Sequence, residues 1–225
     1  MTLKLNGSSS GSVSIDAPAD TTNGDDVVLT LPVDDGTANQ YLQTNGSGTL
    51  VWATPGNVKE LVAYPCDGGT YSTINGNITA PNITDTYLPT ASWVDVAGSI
   101  VSYQPPSGTT AVIYEFNITV GSKDAHGIAH FKAYIDSDEV VYSRHTLSGN
   151  SQLNAGYNYK LVIPIGGSAD TDTGRQASWS SAKTIKLQVR VYSTNNEIRM
   201  YGAYYWDGAA SDAFRQPTIQ LTALG

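Results

Sequence analysis

The chain has 225 residues, of which 14% are charged, and it carries a formal net charge of −8. This length allows one large β domain with an appendage, or two small domains, and it excludes most multi-domain enzymes. The acidic balance argues against sequence-independent binding to nucleic acid, because such binding needs lysine and arginine side chains to neutralise phosphates.

The amino-acid composition predicts an all-β protein. Glycine contributes 22 residues and tyrosine 14, and the segments between apolar runs consist mainly of serine, threonine, asparagine and glycine. Such a composition favours strands joined by tight turns over helices. The single cysteine, Cys66, excludes an intrachain disulfide. No signal-peptide core and no run of 18 apolar residues occur, so we expect synthesis in a cytoplasm and no membrane insertion.

Residues 1–55 form the first predicted domain, a short extended or hairpin segment with too few apolar residues for a core of its own. Residues 40–52 predict a small hairpin, because Asn45-Gly46 tolerates the positive φ values of a tight turn. A lone hairpin is marginally stable in water. Its apolar side chains therefore need a partner in the next domain, in another copy of the chain or in a particle shell. The predicted oligomer or shell contacts are Leu29, Leu31, Tyr41, Leu50 and Trp52.

Residues 56–225 form the second predicted domain, an antiparallel jelly-roll-like β-sandwich. Residues 111–120 and 184–191 alternate apolar and polar side chains with a period of two, which is typical of half-buried strands. About eight antiparallel strands in one domain are typical of a jelly roll. The other predicted strands lie at residues 58–64, 99–103, 128–135, 139–147, 157–165, 197–205 and 218–224.

Two stretches show little strand pattern. Residues 66–90 are rich in glycine, asparagine, threonine and proline, and we interpret them as an extended loop or arm. Whether this arm reaches a neighbouring subunit is left open. Residues 207–214 contain glycine and small side chains, which favour a loop or a single helical turn. No other stretch has helical periodicity, so the sandwich is predicted without helices.

Histidines and acidic groups are the candidate metal ligands. His126 and His130 are four residues apart and would share one face of a strand. A third ligand would have to come from Asp124 or His145, and we favour structural or exposed histidines. Residues 136–139 hold three carboxylates between two strong strands, and we interpret them as a polar hairpin turn, not a calcium site. We predict no metal site and no cofactor.

Catalytic motifs are not found in the sequence. It contains neither a Gly-x-Ser-x-Gly nucleophile elbow nor a glycine-rich loop ending in Gly-Lys-Ser/Thr. A carboxylate pair such as Asp95 and Glu115 could act in a glycosidase if both faced one cleft, but nothing in the sequence supports this arrangement. We therefore predict no catalytic residues and a non-enzymatic protein.

An aromatic run near the C-terminus is a second candidate site. Tyr204, Tyr205 and Trp206 could stack on sugar rings, because flat aromatic faces suit the apolar face of a pyranose. The competing interpretation is packing in the core and at a sheet edge. It is favoured because Tyr201 and Tyr205 have the same strand parity.

Three blocks cover nearly all of the first 54 residues: GSVSIDAPADTT at 11–22, VLTLP at 28–32 and DGTANQYLQTNGSGTLVWAT at 35–54. Together they resemble the N-terminal module of virion structural proteins of tailed phages, especially marine ones. In those proteins the module precedes varied C-terminal domains, as an attachment segment would. The resemblance implies a virion surface protein, and the core-poor segment adds the expectation of a homotrimer.

The second half also resembles a recurring phage module. The resemblance lies in IYEF at 113–116, KDAHGIAHF at 123–131, DSDE at 136–139 and YWDG at 205–208. It implies a structural β domain and assigns no functional residues.

Two locations on the particle follow from these resemblances. The first is a capsid decoration (cement) protein or short head fibre bound to the major capsid protein, which we favour because the chain lacks the long shaft of a tail fibre. The alternative is a short tail fibre or receptor-binding protein, bound to tail proteins and recognising a polysaccharide of the host surface. The sequence does not decide between head and tail.

Overall fold

The computed structural model describes residues 3–6, 9–15, 26–53, 56–122, 126–150, 153–195, 197–204 and 213–225. The chain divides into two compact units, Met1–Pro55 and Gly56–Gly225. Strands, turns and bends account for all secondary structure in the described ranges, which confirms the all-β prediction. None of the described residues forms a helix long and apolar enough to cross a membrane.

The N-terminal unit contains two antiparallel strand pairs. Strand β1 (Leu3–Asn6) pairs with β2 (Ser12–Ile15), and β3 (Tyr41–Thr44) pairs with β4 (Leu50–Ala53). Between β3 and β4, Gly46 has a φ of 83°, and Asn45 Oδ1 accepts hydrogen bonds from the backbone of Ser47 and Thr49. The β3–β4 pair confirms the hairpin predicted at residues 40–52.

The C-terminal unit is built from longer strands. In chain order they are β5 (Val58–Pro65), β6 (Thr70–Thr73), β7 (Gly76–Thr79), β8 (Val94–Asp95), β9 (Val101–Tyr103), β10 (Ala111–Ser122), β11 (His126–Ile135), β12 (Asp138–Asn150), β13 (Leu153–Pro164), β14 (Lys183–Val191), β15 (Arg199–Met200), β16 (Gly202–Ala203), β17 (Ala213–Phe214) and β18 (Thr218–Leu224).

The strand order is that of a jelly roll. Sheet I has the order β13-β10-β18-β5, and sheet II has the order β12-β11-β14-β8, with β9 also paired to β14. With β8 and β9 counted as one, the eight main strands of these sheets are, in chain order, β5, β8/β9, β10, β11, β12, β13, β14 and β18. The first of these eight pairs with the eighth, the second with the seventh, the third with the sixth and the fourth with the fifth. This is one long antiparallel hairpin rolled into two sheets, and it confirms the predicted jelly-roll-like sandwich.

The core lies between the two sheets and follows from the alternation seen in the sequence. On β10 the even-numbered residues from Val112 to Val120 are buried, and on β14 the odd-numbered residues from Ile185 to Val191 are buried. Alternate side chains of a strand point to opposite faces, so each sheet contributes one apolar face. The largest side chains that are fully buried include Tyr103, Tyr114, Tyr201, Phe116, Phe131, Ile163, Ile185, Leu187, Ile219 and Leu221.

The extended loop or arm predicted at residues 66–90 is wrong for residues 70–79, whereas residues 80–90 contain no strand element. The segment 66–79 contains the β6–β7 hairpin and is hydrogen-bonded to the sandwich: the backbone N–H of Cys66 donates to the carbonyl of Pro217 at 2.9 Å. Ile78 is 5% exposed and packs in the core. The strand pattern was missed because only one side chain of β7 is both large and buried, while its neighbours are polar.

The strand predicted at residues 197–205 is also interrupted. Tyr201 has a φ of 64°, which lies in the left-handed region, and it separates β15, which pairs with β10, from β16, which pairs with β17. The ring of Tyr201 is fully buried, and its hydroxyl donates to the carbonyl of Ala97. Burial of this aromatic ring therefore outweighs the strand preference of the segment. Residue 205 and most of the predicted loop at 207–214 lie outside the described residues.

The thiol of Cys66 should be unreactive in the folded protein. It is fully buried, and its Sγ donates to the carbonyl of Gly98 at 3.4 Å. Burial, with a smaller contribution from Asp67, raises the pKa of this thiol to about 12. Because the thiolate is the reactive form, we expect Ellman's reagent at pH 8 to react at least ~100-fold more slowly with the native protein than with the urea-unfolded protein. Equal rates would contradict this burial.

Candidate functional site

The most unusual surface of the N-terminal unit is a run of exposed apolar side chains at residues 27–33. We call this set the apolar strip; it consists of Val27, Val28, Leu29, Leu31 and Val33. Their exposures are 67%, 72%, 58%, 67% and 104%. Single exposed apolar residues are common on protein surfaces, whereas a contiguous apolar patch marks a contact site.

One residue ties the apolar strip to the β3–β4 hairpin. The N–H of Thr30 donates to the carbonyl of Gly48 at 2.8 Å, and the N–H of Leu50 donates to the carbonyl of Thr30 at 2.8 Å. These two bonds form a parallel bridge between Thr30 and Thr49. The middle of the strip is therefore held beside the hairpin at Thr30.

The hairpin adds further apolar surface and buries part of its tryptophan. Tyr41 and Leu42 are 47% and 45% exposed. Trp52 is half-buried: its Nε1 donates to the carbonyl of Asp34 at 2.9 Å, and its indole covers Gly36. A Cβ on Gly36 would lie 2.7 Å from the ring, and the φ of 70° also favours glycine there. Trp52 thus has packing partners within its own unit.

The structure brings the five predicted contact residues into one unit but exposes them unequally. Leu29, Leu31 and Tyr41 are exposed, whereas Leu50 and Trp52 are half-buried. Three of the five, Leu31, Leu50 and Trp52, border an open groove of about 670 Å³, as does Val33 of the strip. The sequence prediction missed five exposed apolar side chains, although the unalternated run VVLTLPV was a signal for three of them. The missed residues are Val27, Val28, Val33, Leu42 and Val51.

The aromatic candidates for sugar stacking occupy a different environment. Tyr204 is 5% exposed; its hydroxyl accepts a hydrogen bond from Arg199 Nε at 2.9 Å, and its N–H donates to Asn154 Oδ1 at 2.7 Å. The Arg199 guanidinium lies 5.5 Å from the ring centre. The Tyr204 ring therefore has no free face for a sugar. Tyr205 and Trp206 lie outside the described residues.

The histidines have other partners than a metal. His130 Nδ1 lies 3.0 Å from Thr146 Oγ1, and the ring of His145 stacks on Tyr157 at 5.5 Å. The side chain of His126 and all of Asp124 lie outside the described part. Among the described residues, no group of three or more histidine, cysteine, aspartate or glutamate side chains could hold a metal ion.

The acidic groups are held by hydrogen bonds or ion pairs. Asp136 lies in the turn between β11 and β12, with a φ of 54°, and its carboxylate accepts a hydrogen bond from the N–H of Thr184 at 2.8 Å. This confirms the turn interpretation of residues 136–139. Asp95 is on sheet II and pairs with Lys186, whereas Glu115 is on sheet I, 3.7 Å from Lys160. The two carboxylates do not share a cleft.

Comparisons with known proteins were made for sequence and for fold. No protein-family model matches the sequence. No curated protein matches it. Among solved structures, the chain is similar to that of infectious bursal disease virus Gx strain, with a TM-score of 0.36, 9% identity and coverage of 78% of this chain and 40% of that chain.

Two more solved structures show the range of these similarities. The T13 particle of infectious bursal disease virus gives a TM-score of 0.35 at 10% identity, with 98% of this chain and 44% of that chain covered. An exo-beta-agarase gives a TM-score of 0.22 at 14% identity, with 84% and 25% covered. The chain thus spans less than half the length of each.

Proposed function

We propose that this chain is a non-enzymatic structural protein on the surface of a tailed-phage virion, where it assembles as a homotrimer. The observation that carries the proposal is the apolar strip, because it exposes five apolar side chains within seven residues. The sequence resemblance of residues 1–54 to the attachment module of phage virion proteins supports the same role.

The free energy of burying apolar side chains favours contact of the apolar strip with another copy of the chain or with a particle. Full burial of a valine or leucine side chain contributes about 1.5–3 kcal/mol, so covering several of them at once is a substantial driving force. A segment paired at a single residue also leaves backbone N–H and C=O groups for a further strand. A second and third copy of the same segment would supply both the apolar surface and the strand edge.

The C-terminal unit is suited to project from the assembly. Its core closes between sheets I and II, within residues 56–225. Jelly rolls are common in viral capsid and lectin domains, and this analogy at the level of fold is consistent with a structural role. The net charge of −8 keeps a crowded surface protein soluble.

We place the protein on the head, as a capsid decoration protein or short head fibre bound to the major capsid protein. A protein that binds the assembled shell stabilises it by mass action. Particles made without this chain are therefore expected to release their DNA at lower temperature and after milder osmotic shock than complete particles. Equal resistance of the two particles would reject the decoration role.

The alternative location is the tail, with recognition of a host polysaccharide. Particles made without the chain would then keep their resistance to heat and osmotic shock but lose adsorption to host cells. Measuring adsorption and DNA release on the same particle preparations separates the two locations.

A further inference from the structure

The outer face of sheet II is basic in an otherwise acidic protein. We call it the basic face; it carries the cationic side chains Lys132, Arg144, Lys186 and Arg190 and the carboxylates Asp95 and Glu139. Four cations against two carboxylates give this face a formal charge of +2, although the whole chain carries −8. A local reversal of charge on a rigid sheet attracts anionic ligands.

The two carboxylates of the basic face are engaged by three of its cations. Glu139 lies 3.0 Å from Lys132 Nζ and 2.7 Å from Arg144 Nε. Asp95 lies 3.0 Å from Lys186 Nζ. Arg190 makes no hydrogen bond or ion pair with any other residue in the described part of the chain, and its Nε is buried without a partner. One guanidinium is thus left without an anion.

An exposed tryptophan borders this guanidinium. Trp93, just before β8, is 39% exposed, and its ring centre lies 5.5 Å from Arg190 Cζ and 4.6 Å from Lys132 Nζ. Two cations therefore converge on one indole. The ring attracts both, and because only Lys132 has a carboxylate partner, an anion placed beside Arg190 would be stabilised there.

The neighbouring strand supplies polar and aromatic groups to the same place. His130 on β11 is directly opposite Arg190 on β14. Its Nδ1 contacts Thr146, and its Nε2 is buried without a hydrogen-bond partner. Burial and the Arg190 charge lower the pKa of His130, so the imidazole is neutral at pH 7. Tyr192, 63% exposed, lies with its ring centre 6.3 Å from that of His130.

We propose that the basic face binds a carboxylate-bearing sugar of an acidic polysaccharide. Arg190 binds the carboxylate, because a guanidinium presents a planar pair of donors that matches the two carboxylate oxygens. The exposed rings of Trp93 and Tyr192 stack on pyranose faces. This site is separate from the aromatic run at 204–206 and is independent of the attachment role of the apolar strip.

Affinity electrophoresis and calorimetry of the full-length protein test the proposal with three probes. Polygalacturonate carries carboxylates on pyranose rings, dextran is a neutral polysaccharide, and poly-L-glutamate carries carboxylates without sugar. We expect binding to polygalacturonate, no binding to dextran and at least tenfold weaker binding to poly-L-glutamate. Absence of binding to polygalacturonate, or equal binding to poly-L-glutamate, would overturn the proposal.

Single substitutions locate the site. Arg190→Gln and Trp93→Ala should each weaken polygalacturonate binding at least tenfold, whereas Arg175→Gln, which removes the same charge from an exposed loop, should leave it unchanged. Thermal unfolding of each variant checks that the jelly roll is intact. If Arg190→Gln does not fold, the Trp93→Ala variant alone tests whether polygalacturonate binds at the basic face. An equal loss in Arg175→Gln would show that overall charge, and not this face, governs binding.

Discussion

Replacing both Leu29 and Leu31 by serine should convert the trimer into monomers while the jelly roll stays folded. Both side chains belong to the apolar strip and are 58% and 67% exposed, so serine there creates no cavity in the unit itself. Loss of their burial in three copies removes several kcal/mol from the assembly, at about 1.5–3 kcal/mol for each fully buried side chain. Light scattering should show a change from three chains to one 23.8 kDa chain.

Leu61 provides the matched control for this experiment. It is also 58% exposed but lies on β5 of the C-terminal unit. Together with Val162, which is 49% exposed on β13, it gives the control variant Leu61→Ser/Val162→Ser, and this variant should remain a trimer. A monomeric wild-type protein would contradict the proposed trimer, and a trimeric Leu29→Ser/Leu31→Ser variant would contradict the role of the strip.

The second large effect is expected for Phe116→Ala in the core. Phe116 is fully buried on β10, the strand of sheet I that pairs with both β13 and β18, and its ring meets Tyr201 edge to face at 6.4 Å. Removing a buried phenylalanine leaves a cavity and typically costs about 3–5 kcal/mol. Urea unfolding should therefore show a free energy of unfolding that is lower by this amount, with an unchanged oligomeric state below the transition.

Val162→Ala is the control for the core substitution. Val162 is on the adjacent strand β13, opposite Ile113, but is 49% exposed. Surface substitutions usually change stability by no more than about 0.5 kcal/mol. If Phe116→Ala were no more destabilising than Val162→Ala, the side chain of Phe116 would not lie in the core.

Much of the fold could be predicted because the long strands carry strong alternation. β10 and β14 were predicted within one or two residues of their observed ends, and β18 was predicted at Thr218–Leu224, as observed. The partners of these strands could not be predicted, since β5 pairs with β18 across the whole length of the C-terminal unit. The jelly-roll order emerges only from these long-range pairings.

Short strands and buried turns escaped prediction for a different reason. β8 has two residues and β7 has one large buried side chain, so neither produces a periodic pattern. The left-handed conformation of Tyr201 is imposed by the packing of its ring, and local sequence patterns do not predict such tertiary packing.

The two candidate surfaces differ in how far the sequence predicts them. The apolar strip is a continuous segment, and two of its residues, Leu29 and Leu31, were predicted as contacts. The basic face brings Trp93, His130 and Arg190 together from three strands or their ends, so the sequence separates groups that the sheet makes neighbours. Only the pairing of β8 with β14 brings the exposed indole beside the unpaired guanidinium.

Re-binding to particles tests the central claim most directly. Virions made without the chain are mixed with purified protein, sedimented and assayed for the protein in the pellet. The wild-type protein and the Leu61→Ser/Val162→Ser control should sediment with the particles, whereas the Leu29→Ser/Leu31→Ser variant should stay in the supernatant. A wild-type protein that stays in the supernatant, or a strip variant that sediments equally well, would contradict attachment through the apolar strip.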